Sequence, residues 1–403
     1  MGFDLSSSAK NQMKYGIEDI RSQFPLLADE TVIFLNSSFQ QPMNLIVSGA
    51  IERYVKDGLH EPNPKPKWNA ECENVRLKTA KFINAQSEDI VFTRDTTESC
   101  NLFQRSLEFK PGDNVVLLRN DYPSQAAGWL ELKSRGLEIR YIEMGESGPQ
   151  PYDADAFRDV VDEHTIAIGL SSIMFDSGLR HDVRSICNTY RPRGVHVLVD
   201  ATQEVGFGKI DVRELGVSAL AFSVQKGLSC PTGLGVLYID PQVLPDLKLT
   251  PPIMTPSSLN STQGGSSVTG CKSARSLEHN NKALMQCLAL GEYLDFLDTV
   301  GITKIQTHLE SLSLYLRLQL KALGVETIGP DDQKYRSPHS NVIKLHSEWL
   351  PFFVDNHVYV SQYGFGVRVS FGAYNTKSDV DMFVAVIRKG LGRGLTQTSH
   401  SRS

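Results

Sequence analysis

Short apolar runs alternate with longer segments of helical pattern through the first two-thirds of the chain. Several runs are apolar at consecutive positions and rich in β-branched residues, which is typical of strands buried on both faces. The predicted strands are 89–93, 114–118, 137–144, 165–172 and 195–200, and the predicted helices between them are 97–107, 123–135 and 182–191. This alternation predicts an α/β fold with a mostly parallel central sheet and helices on both faces.

From about residue 241 the pattern changes. A segment rich in Pro, Ser, Thr and Gly predicts a long loop, and an α+β arrangement with an aromatic loop between its strands follows. The predicted helices are 277–296, 301–322 and 376–390, and the predicted strands are 340–346 and 366–370. We therefore predict four parts: an N-terminal arm (1–30) that packs with the small domain, a large domain (31–260), a smaller C-terminal domain (261–392) and a disordered tail (393–403).

Composition and charge narrow the class of protein. The 403 residues are 40% hydrophobic and 22% charged, and 41 Lys and Arg against 46 Asp and Glu give a net charge of −5. These values are typical of a globular protein, and the absence of a basic patch disfavours nucleic acid as a partner. We find no apolar run of 18 residues and no secretory signal, so we predict a cytoplasmic protein without a membrane span. The six scattered cysteines lack metal-binding spacing, so we expect reduced thiols and no metal site.

Polar residues follow several predicted strands, at the sheet edge where α/β proteins bind ligands. Asp200 ends one apolar run, and Lys226 follows another run 26 positions later. An acid and a lysine at strand ends fit a pyridoxal 5′-phosphate site, because the lysine forms a Schiff base and the carboxylate keeps the pyridine nitrogen protonated. The phosphate needs a helix N-terminus and hydroxyls, which Thr96, Thr97 and Ser223 provide. The large domain is therefore predicted to bind this cofactor.

Each of these residues also has a purely structural interpretation. A lysine after a strand is usually solvated, and Asp200 could cap a helix. Thr96 and Thr97 could themselves be an N-terminal cap. Tyr122, which would stack on the pyridine face, could be a turn aromatic before a proline. The cofactor site is favoured because the acid, the lysine and the threonine pair occur together.

The segment around Lys226 also resembles a known family. Residues 199–239, VDATQEVGFGKIDVRELGVSALAFSVQKGLSCPTGLGVLYI, are similar to the lysine region of the class-V aminotransferase-like enzymes, which are pyridoxal-phosphate proteins of fold type I. The similarity continues, in the family's order, in 34–42, 88–102, 120–129 and 367–381. The family includes cysteine desulfurases, selenocysteine lyases, kynureninases and isopenicillin N epimerase-like proteins. The resemblance implies the fold, the cofactor and an amino-acid substrate.

The resemblance implies a role for each matching position. Lys226 would be the Schiff-base lysine and the acid/base at the α-carbon, and Asp200 would pair with the pyridinium nitrogen. Arg368 would bind the substrate α-carboxylate through a two-pronged contact, and Asn36 would lie on the substrate side of the pocket. The other implied cofactor contacts are Gln203 with the phenolic oxygen, Thr96, Thr97, Ser223 and Gln225 with the phosphate, and Tyr122 against the ring. Fold-type-I enzymes usually build each active site at a two-fold interface, so a homodimer is also implied.

The segment before Arg368 bears on the reaction. Cysteine desulfurases need a nucleophilic thiol on a loop in this region, and no cysteine occurs from 349 to 371. Tyr and Ser cannot replace a thiolate because neither is sufficiently ionised near neutral pH. The aromatic residues of 349–365 suggest an apolar pocket wall, although core packing explains them equally well.

We therefore expect an isopenicillin-N-epimerase-like or C–S-lyase-like enzyme of specialised (secondary) amino-acid metabolism, acting at Cα, Cβ or Cγ. A decarboxylative or C–C bond-forming enzyme and an aminotransferase are open alternatives. A cysteine desulfurase or selenocysteine lyase is disfavoured by the missing cysteine. A binding-only scaffold is disfavoured by the intact pairing of Lys226 with Asp200.

Overall fold

The fold, described here from a computed structural model for residues 16–145, 148–249 and 273–397, is built on a seven-stranded sheet. After a first short strand β1 (Ile33–Phe34), the sheet strands are β2 (Ile90–Thr93), β3 (Asn114–Leu118), β4 (Glu138–Ile142), β5 (Thr165–Ser171), β6 (His196–Asp200), β7 (Ala219–Ser223) and β8 (Gly235–Ile239). Their spatial order is β2-β8-β7-β6-β5-β3-β4. All of these strands run parallel except β8, which is antiparallel to both of its neighbours.

Helices cover both faces of this sheet because strand residues alternate between two apolar cores. The helices of this part of the chain are α1 (Ile17–Ile20), α2 (Leu45–His60), α3 (Lys65–Ile83), α4 (Thr96–Ser106), α5 (Pro123–Leu132), α6 (Val183–Tyr190) and α7 (Val212–Leu215). One core joins Ala221 of β7 to Phe103 of α4 and Trp129 of α5. The other joins Phe222 of β7 to Ile186 of α6. Burial on both faces explains why the strands are apolar at consecutive positions.

The C-terminal residues form a smaller α+β part. Its elements are α8 (Leu284–Val300), α9 (Ile302–Ala322), β9 (Ser340–Ile343), α10 (Trp349–Asp355), β10 (Val358–Tyr359), β11 (Ser361–Tyr363), β12 (Gly366–Ser370) and α11 (Lys377–Gly392). A three-stranded antiparallel sheet has the order β11-β12-β9, and β10 pairs in parallel with β1. The chain therefore returns from its C-terminal part to a strand near its N-terminus.

The observed sheet confirms the predicted α/β fold with a mostly parallel sheet, and three local predictions are wrong. The predicted helix 277–296 is observed as α8, which begins only at Leu284. The predicted strand 340–346 ends at Ile343, and the predicted aromatic loop contains α10 and two short strands. Trp349, Phe352 and Phe353 are spaced i, i+3 and i+4 and are all buried. This spacing places three large apolar side chains on one side of a helix, which stabilises a helix rather than a loop.

The N-terminal segment contacts the last helix. Arg21 Nη1 lies 3.1 Å from Asp379 Oδ2 of α11, and it also donates to the carbonyl oxygen of Tyr374. The Phe24 ring packs against Tyr374 with 4.5 Å between the centroids. These contacts join the N-terminal segment to the C-terminal part of the chain. The division into arm and domains stays a prediction.

Part of the predicted disordered tail is held in place. The backbone N–H and the hydroxyl of Thr396 donate to Glu348, and its carbonyl oxygen accepts a 2.8 Å hydrogen bond from Trp349 Nε1. Residues 398–403 and most of the predicted long loop, from 250 onward, lie outside the described residues.

Two further properties of the described ranges bear on the environment of the protein. No helix in them combines the length and the apolarity that crossing a membrane requires. The described cysteines are free and buried, namely Cys72, Cys100, Cys187, Cys230 and Cys287.

Candidate active site

A cavity of about 540 Å³ opens at the carboxyl ends of the central strands. It is bounded by residues that follow β2, β3, β5, β6 and β7, and on the other side by Tyr363 and Arg368 of the smaller part. The predicted site residues that line it are Thr96, Thr97, Tyr122, Asp200, Gln203, Ser223, Gln225, Lys226 and Arg368. Parallel strands end at the same sheet edge, which is why residues far apart in the sequence meet there.

Glycines allow the loop that follows Asp200 and the loop that carries Lys226 to touch. Gly206 lies in the loop after Asp200 and has φ +84°, which few other residues adopt. A Cβ atom at Gly206 would collide with the backbone of Gly227, and a Cβ at Gly227 would collide with the carbonyl oxygen of Val205. The glycines around Lys226 therefore serve close backbone packing, which brings the lysine beside the acid-bearing loop.

Asp200 is buried and Lys226 is partly buried in the cavity wall, without a direct ion pair between them. Burial lowers the pKa of Lys226 to about 8, although the nearby Asp200 opposes this shift and Arg368 adds to it. Burial also raises the pKa of Asp200, while hydrogen bonds from Thr202 act in the opposite direction. The Thr202 N–H donates to Asp200 Oδ1 over 2.9 Å. Burial therefore disfavours the charged form of each group. A ligand group of opposite charge beside either one would stabilise its charged form.

The first turn of α4 presents hydroxyls to the cavity, and its Thr96 N–H donates to Ser223 Oγ over 2.9 Å. The Thr96 hydroxyl lies 2.5 Å from Ser223 Oγ and 2.7 Å from Thr202 Oγ1, and the Thr97 hydroxyl lies 2.8 Å from Ser124 Oγ. Such a helix N-terminus attracts anions because unpaired N–H groups and the helix dipole point outward.

The residue that caps α4 is Asp95, which the sequence prediction did not include. Its carboxylate accepts a 2.8 Å hydrogen bond from the backbone N–H of Glu98, while Thr96 and Thr97 are the first helical residues. An aspartate directly before a helical segment is a recognised cap signal, so the sequence did contain this information.

Arg368 has two unused hydrogen-bond donors. Its Nη1 donates to the carbonyl oxygen of Phe175 over 2.6 Å, whereas its Nε and Nη2 have no hydrogen-bond partner among the described residues. The side chain is buried, which lowers its pKa to about 10, and its guanidinium lies 4.5 Å from the centroid of the Tyr363 ring. Two parallel N–H groups in one plane match the two oxygens of a carboxylate.

Tyr122 and Phe175 form part of an aromatic wall. Their rings meet edge to face at 5.3 Å, and Phe175 meets Tyr363 in the same way at 5.4 Å. Lys226 Nζ lies 5.9 Å from the centroid of Tyr122. Phe175 was not predicted as a site residue, because its position depends on the turn after β5. Tyr363 belongs to the aromatic segment 349–365, for which a pocket wall and core packing were predicted as equal alternatives, and it lines the cavity.

The structure does not bring Asn36 to the cavity. Its side-chain oxygen accepts a 2.6 Å hydrogen bond from the Ser361 hydroxyl of β11, so the side chain faces the smaller sheet. The residues of this segment that line the cavity are Ser38, Phe39 and Gln40. The predicted segment is correct, but the predicted residue is two to four positions too early.

Gln203 has a buried side-chain oxygen without a hydrogen-bond partner among the described residues, and Asp121 has a raised pKa. Gln203 Nε2 donates to the carbonyl oxygen of Ser38 over 3.0 Å, and its Oε1 is buried without a partner. Burial raises the pKa of Asp121 to about 7, although the backbone and hydroxyl of Ser171 donate to its carboxylate. Asp121 was not predicted, and it holds the end of β5 beside the turn that carries Tyr122.

Comparison with known proteins identifies the family. The profile of the class-V aminotransferases matches residues 47–383, which is most of the chain and includes every predicted site residue except Asn36. The chain belongs to the class-V aminotransferase family. Its members are pyridoxal-phosphate-dependent enzymes, which confirms the predicted family, fold class and cofactor.

Individual relatives differ in the activity that their names state. An uncharacterised aminotransferase of Schizosaccharomyces pombe is 48% identical over 382 residues, covering 93% of this chain and 96% of that protein. The cysteine desulfurase CsdA of Escherichia coli has a TM-score of 0.82 at 21% identity, covering 95% of this chain and 100% of that one. The cystine C–S lyase C-DES, in complex with its product cysteine persulfide, has a TM-score of 0.80 at 20% identity, covering 90% and 98%. The two structural similarities show the shared fold alone.

Proposed function

We propose that this enzyme binds pyridoxal phosphate covalently through Lys226 and acts on an amino acid bound by Arg368. The observation that carries the proposal is that Lys226, Asp200 and the N-terminus of α4 line a single cavity with the two free donors of Arg368. When bound, the cofactor supplies an electron-accepting ring that weakens the bonds at the substrate α-carbon.

The residues present fit this cofactor. Asp200 is buried with a raised pKa and has no cation in direct contact, so a protonated ring nitrogen would complete its pairing. Gln203 Oε1, also buried, lacks a partner, and Gln203 and Gln225 both line the cavity. Gln203 and Tyr122 are proposed to contact the ring, and Asp200 to keep its nitrogen protonated.

The phosphate is proposed to bind at the start of α4. Thr96, Thr97 and Ser223 contribute hydroxyls there, and the positive end of the helix dipole favours an anion at the same place. Gln225 is the fourth proposed contact.

Lys226 is also the proposed acid and base at the substrate α-carbon. Its pKa of about 8 means that an appreciable fraction of the amine is neutral near neutral pH, as proton abstraction requires. Arg368 orients the substrate by holding its carboxylate with Nε and Nη2, while Phe175 keeps the guanidinium in place through Nη1.

We propose an isopenicillin-N-epimerase-like or C–S-lyase-like reaction in specialised metabolism. The aromatic wall of Tyr122, Phe175 and Tyr363 suits a substrate with a bulky apolar side chain. Among the described cysteines none lines the cavity, and the segment from 349 to 371 contains none. A thiol that could receive sulfur is therefore absent from the described part of the cavity wall, which argues against desulfurase activity.

Product analysis of the cofactor-loaded enzyme tests the proposed reaction. Elimination from an S-substituted L-cysteine releases a thiol, pyruvate and ammonia, whereas epimerisation exchanges the α-hydrogen for deuterium in D₂O with loss of optical purity. We expect one of these two results, and we expect Lys226→Ala to abolish it. Release of alanine from L-cysteine with persulfide on the protein would contradict the proposal and favour the desulfurase.

We also propose a cytoplasmic homodimer. Several large apolar side chains near the cavity mouth and along α2 are exposed, among them Phe39 at 62%, Met43 at 52%, Leu45 at 52% and Leu59 at 72%. Phe39 lines the cavity as well, so a partner seated on this surface would complete the active site. Reduced, buried thiols support a cytoplasmic location.

A further inference from the structure

Ser38 is held in the cavity wall by all three of its polar groups. Its N–H donates to Ser370 Oγ over 2.8 Å, and its carbonyl oxygen accepts from Gln203 Nε2 over 3.0 Å. Its hydroxyl oxygen lies 3.1 Å from Nε2 of His339. The side chain is 1% exposed and lines the cavity. Few surface serines are fixed in this way, which indicates that the direction of this hydroxyl matters.

His339 is equally constrained. The ring is fully buried and stacks on Phe207 with 3.6 Å between centroids and 4° between the planes. Its Nδ1 lies 2.8 Å from the hydroxyl of Ser337. Burial keeps its pKa well below the usual value, and the positive charges of Arg368 and Lys226 act in the same direction. The imidazole is therefore neutral and carries a single N–H.

The position of that N–H follows from the bonds to Ser337. The Ser337 hydroxyl oxygen accepts from the backbone N–H groups of His339, at 3.2 Å, and Ser340, at 3.1 Å. A hydroxyl oxygen has two lone pairs, so its own hydrogen is left to donate to Nδ1 of His339. The imidazole proton then lies on Nε2, and Nε2 donates to the hydroxyl oxygen of Ser38.

A chain of hydrogen bonds therefore ends at Ser38. Because Ser38 Oγ accepts from His339, its own hydrogen is available to a group in the cavity. Each bond in such a chain polarises the next one, so the terminal hydroxyl is a better donor than an isolated serine. Ser370, which accepts from the Ser38 N–H, lies two positions from Arg368 on β12, so both side chains project from the same face of that strand.

We propose that the Ser38 hydroxyl donates a hydrogen bond to the same substrate carboxylate that Arg368 binds. His339 is the positioning residue that orients this hydroxyl. This inference rests on the proposed function, since it assumes an amino-acid substrate whose carboxylate is held by Arg368.

A pair of matched ligands tests this role in the cofactor-loaded enzyme. L-Alanine and ethylamine differ by the carboxylate, and both are titrated by the change in cofactor absorbance. A hydrogen bond to a charged group contributes about tenfold to hundredfold to affinity. Ser38→Ala is therefore expected to lower the affinity for L-alanine by that factor. Ethylamine affinity and the absorbance of the ligand-free enzyme should stay unchanged. His339→Phe, which keeps a ring stacked on Phe207, should also lower the affinity for L-alanine.

The controls separate this inference from the proposed function. Ser134→Ala removes an exposed hydroxyl remote from the cavity lining and should change neither ligand. Equal affinities of wild type and Ser38→Ala for L-alanine, equal weakening of both ligands, or a shift in the ligand-free absorbance would overturn the role of Ser38 alone. A wild-type enzyme whose absorbance responds to neither amine would overturn the proposed function and this inference with it.

Discussion

Lys226 and Asp200 illustrate at the scale of single residues how burial prepares ionisable groups for chemistry. Each group is removed from water, which disfavours its charged form: the pKa of Lys226 falls to about 8, and the pKa of Asp200 rises. Their mutual attraction limits both shifts. Lys226 therefore offers the cavity a partly neutral amine, and Asp200 offers a carboxyl without a cation partner. These two groups suit a ligand that reacts with the amine and pairs with the carboxyl.

The pH dependence of cofactor capture tests the state of Lys226. Only the neutral amine attacks the cofactor aldehyde, so the capture rate of cofactor-free enzyme should rise with pH and level off above a midpoint near 8, far below the value of 10.5 for an unperturbed lysine. Stopped-flow absorbance at a series of pH values measures this rate.

Asp200→Asn provides the matched variant for that experiment. Asp200 raises the pKa of Lys226, so its neutralisation should move the midpoint to lower pH. A midpoint near 10.5 in the wild type would contradict burial as the cause of the lowered pKa of Lys226. A midpoint at higher pH in the variant would contradict the effect assigned to Asp200.

At the scale of elements, the start of α4 depends on a cap. Asp95 precedes the helix and accepts from the N–H of Glu98, which fixes the first turn of α4 at the cavity wall. The same short segment thus ends β2, begins α4 and forms the proposed phosphate site.

Loss of this cap should lower stability by a modest amount. For Asp95→Ala we expect the free energy of unfolding to fall by about 1 kcal/mol, because one N–H of the first turn loses its acceptor. Asp95→Asn retains a side-chain oxygen and should stay near wild type. Urea denaturation measures both, and equal stability of Asp95→Ala and wild type would show that the cap is dispensable.

A second element-scale contact joins α3 to the segment before α8. The Arg76 guanidinium contacts both oxygens of Glu278 at 2.7 and 2.8 Å, and both side chains are 1% exposed. Glu278 also accepts from the N–H of Phe92 in β2. Arg76 also donates to Glu73, and Lys282 Nζ lies 3.2 Å from Glu278 Oε1. Removal of Glu278 therefore leaves two largely buried cations with one anionic partner fewer.

Glu278→Ala is therefore expected to lower the free energy of unfolding by about 3–5 kcal/mol. The double variant Arg76→Met, Glu278→Leu should be more stable than Glu278→Ala, because it leaves no unpaired charge. The matched control is Asp298→Ala, which breaks the exposed pair with Lys81 and should cost less than about 1 kcal/mol. Equal losses for the buried and exposed pairs in urea denaturation would contradict this account.

At the scale of the whole molecule, the cavity belongs to both parts of the chain. Arg368 of the smaller sheet donates to Phe175 of the larger part, and Ser38 joins Ser370 to Gln203. The site therefore exists only when the two parts pack correctly.

The exposed apolar side chains of α2 predict the assembly state. We expect a dimer by sedimentation velocity at micromolar concentration, and a shift toward monomer for Leu59→Glu, which adds a charge to this surface. Glu52→Lys, a charge exchange on the same helix, is the control for a change of charge alone. A wild-type monomer with full activity would contradict the proposed homodimer.

The features of the fold that depend on neighbouring residues in the sequence could be predicted from the sequence. Asp200 ends β6 and Lys226 lies three residues after β7, and the central residues of both strands are apolar, so the strands and their polar ends could be predicted. The aromatic run at Trp349 was wrongly assigned to a loop because its helical spacing was not recognised.

The contacts that the sequence could not predict join distant positions. Ser38 and His339 are 301 positions apart, and Arg76 and Glu278 are 202 apart, so no local signal links either pair. Both pairs form only because separate elements pack together. Asn36 was predicted in place of Ser38 for the same reason, since only the packed sheet decides which residue of that segment faces the cavity.

The central claim, covalent binding of the cofactor at Lys226, is tested most directly by reduction and peptide mapping. Borohydride treatment of the cofactor-loaded enzyme should make the attachment permanent and add the mass of the reduced pyridoxyl phosphate group to the peptide that contains Lys226. Asp200→Asn should show the same labelled peptide at lower occupancy. Label on another lysine, or on none, would contradict the account.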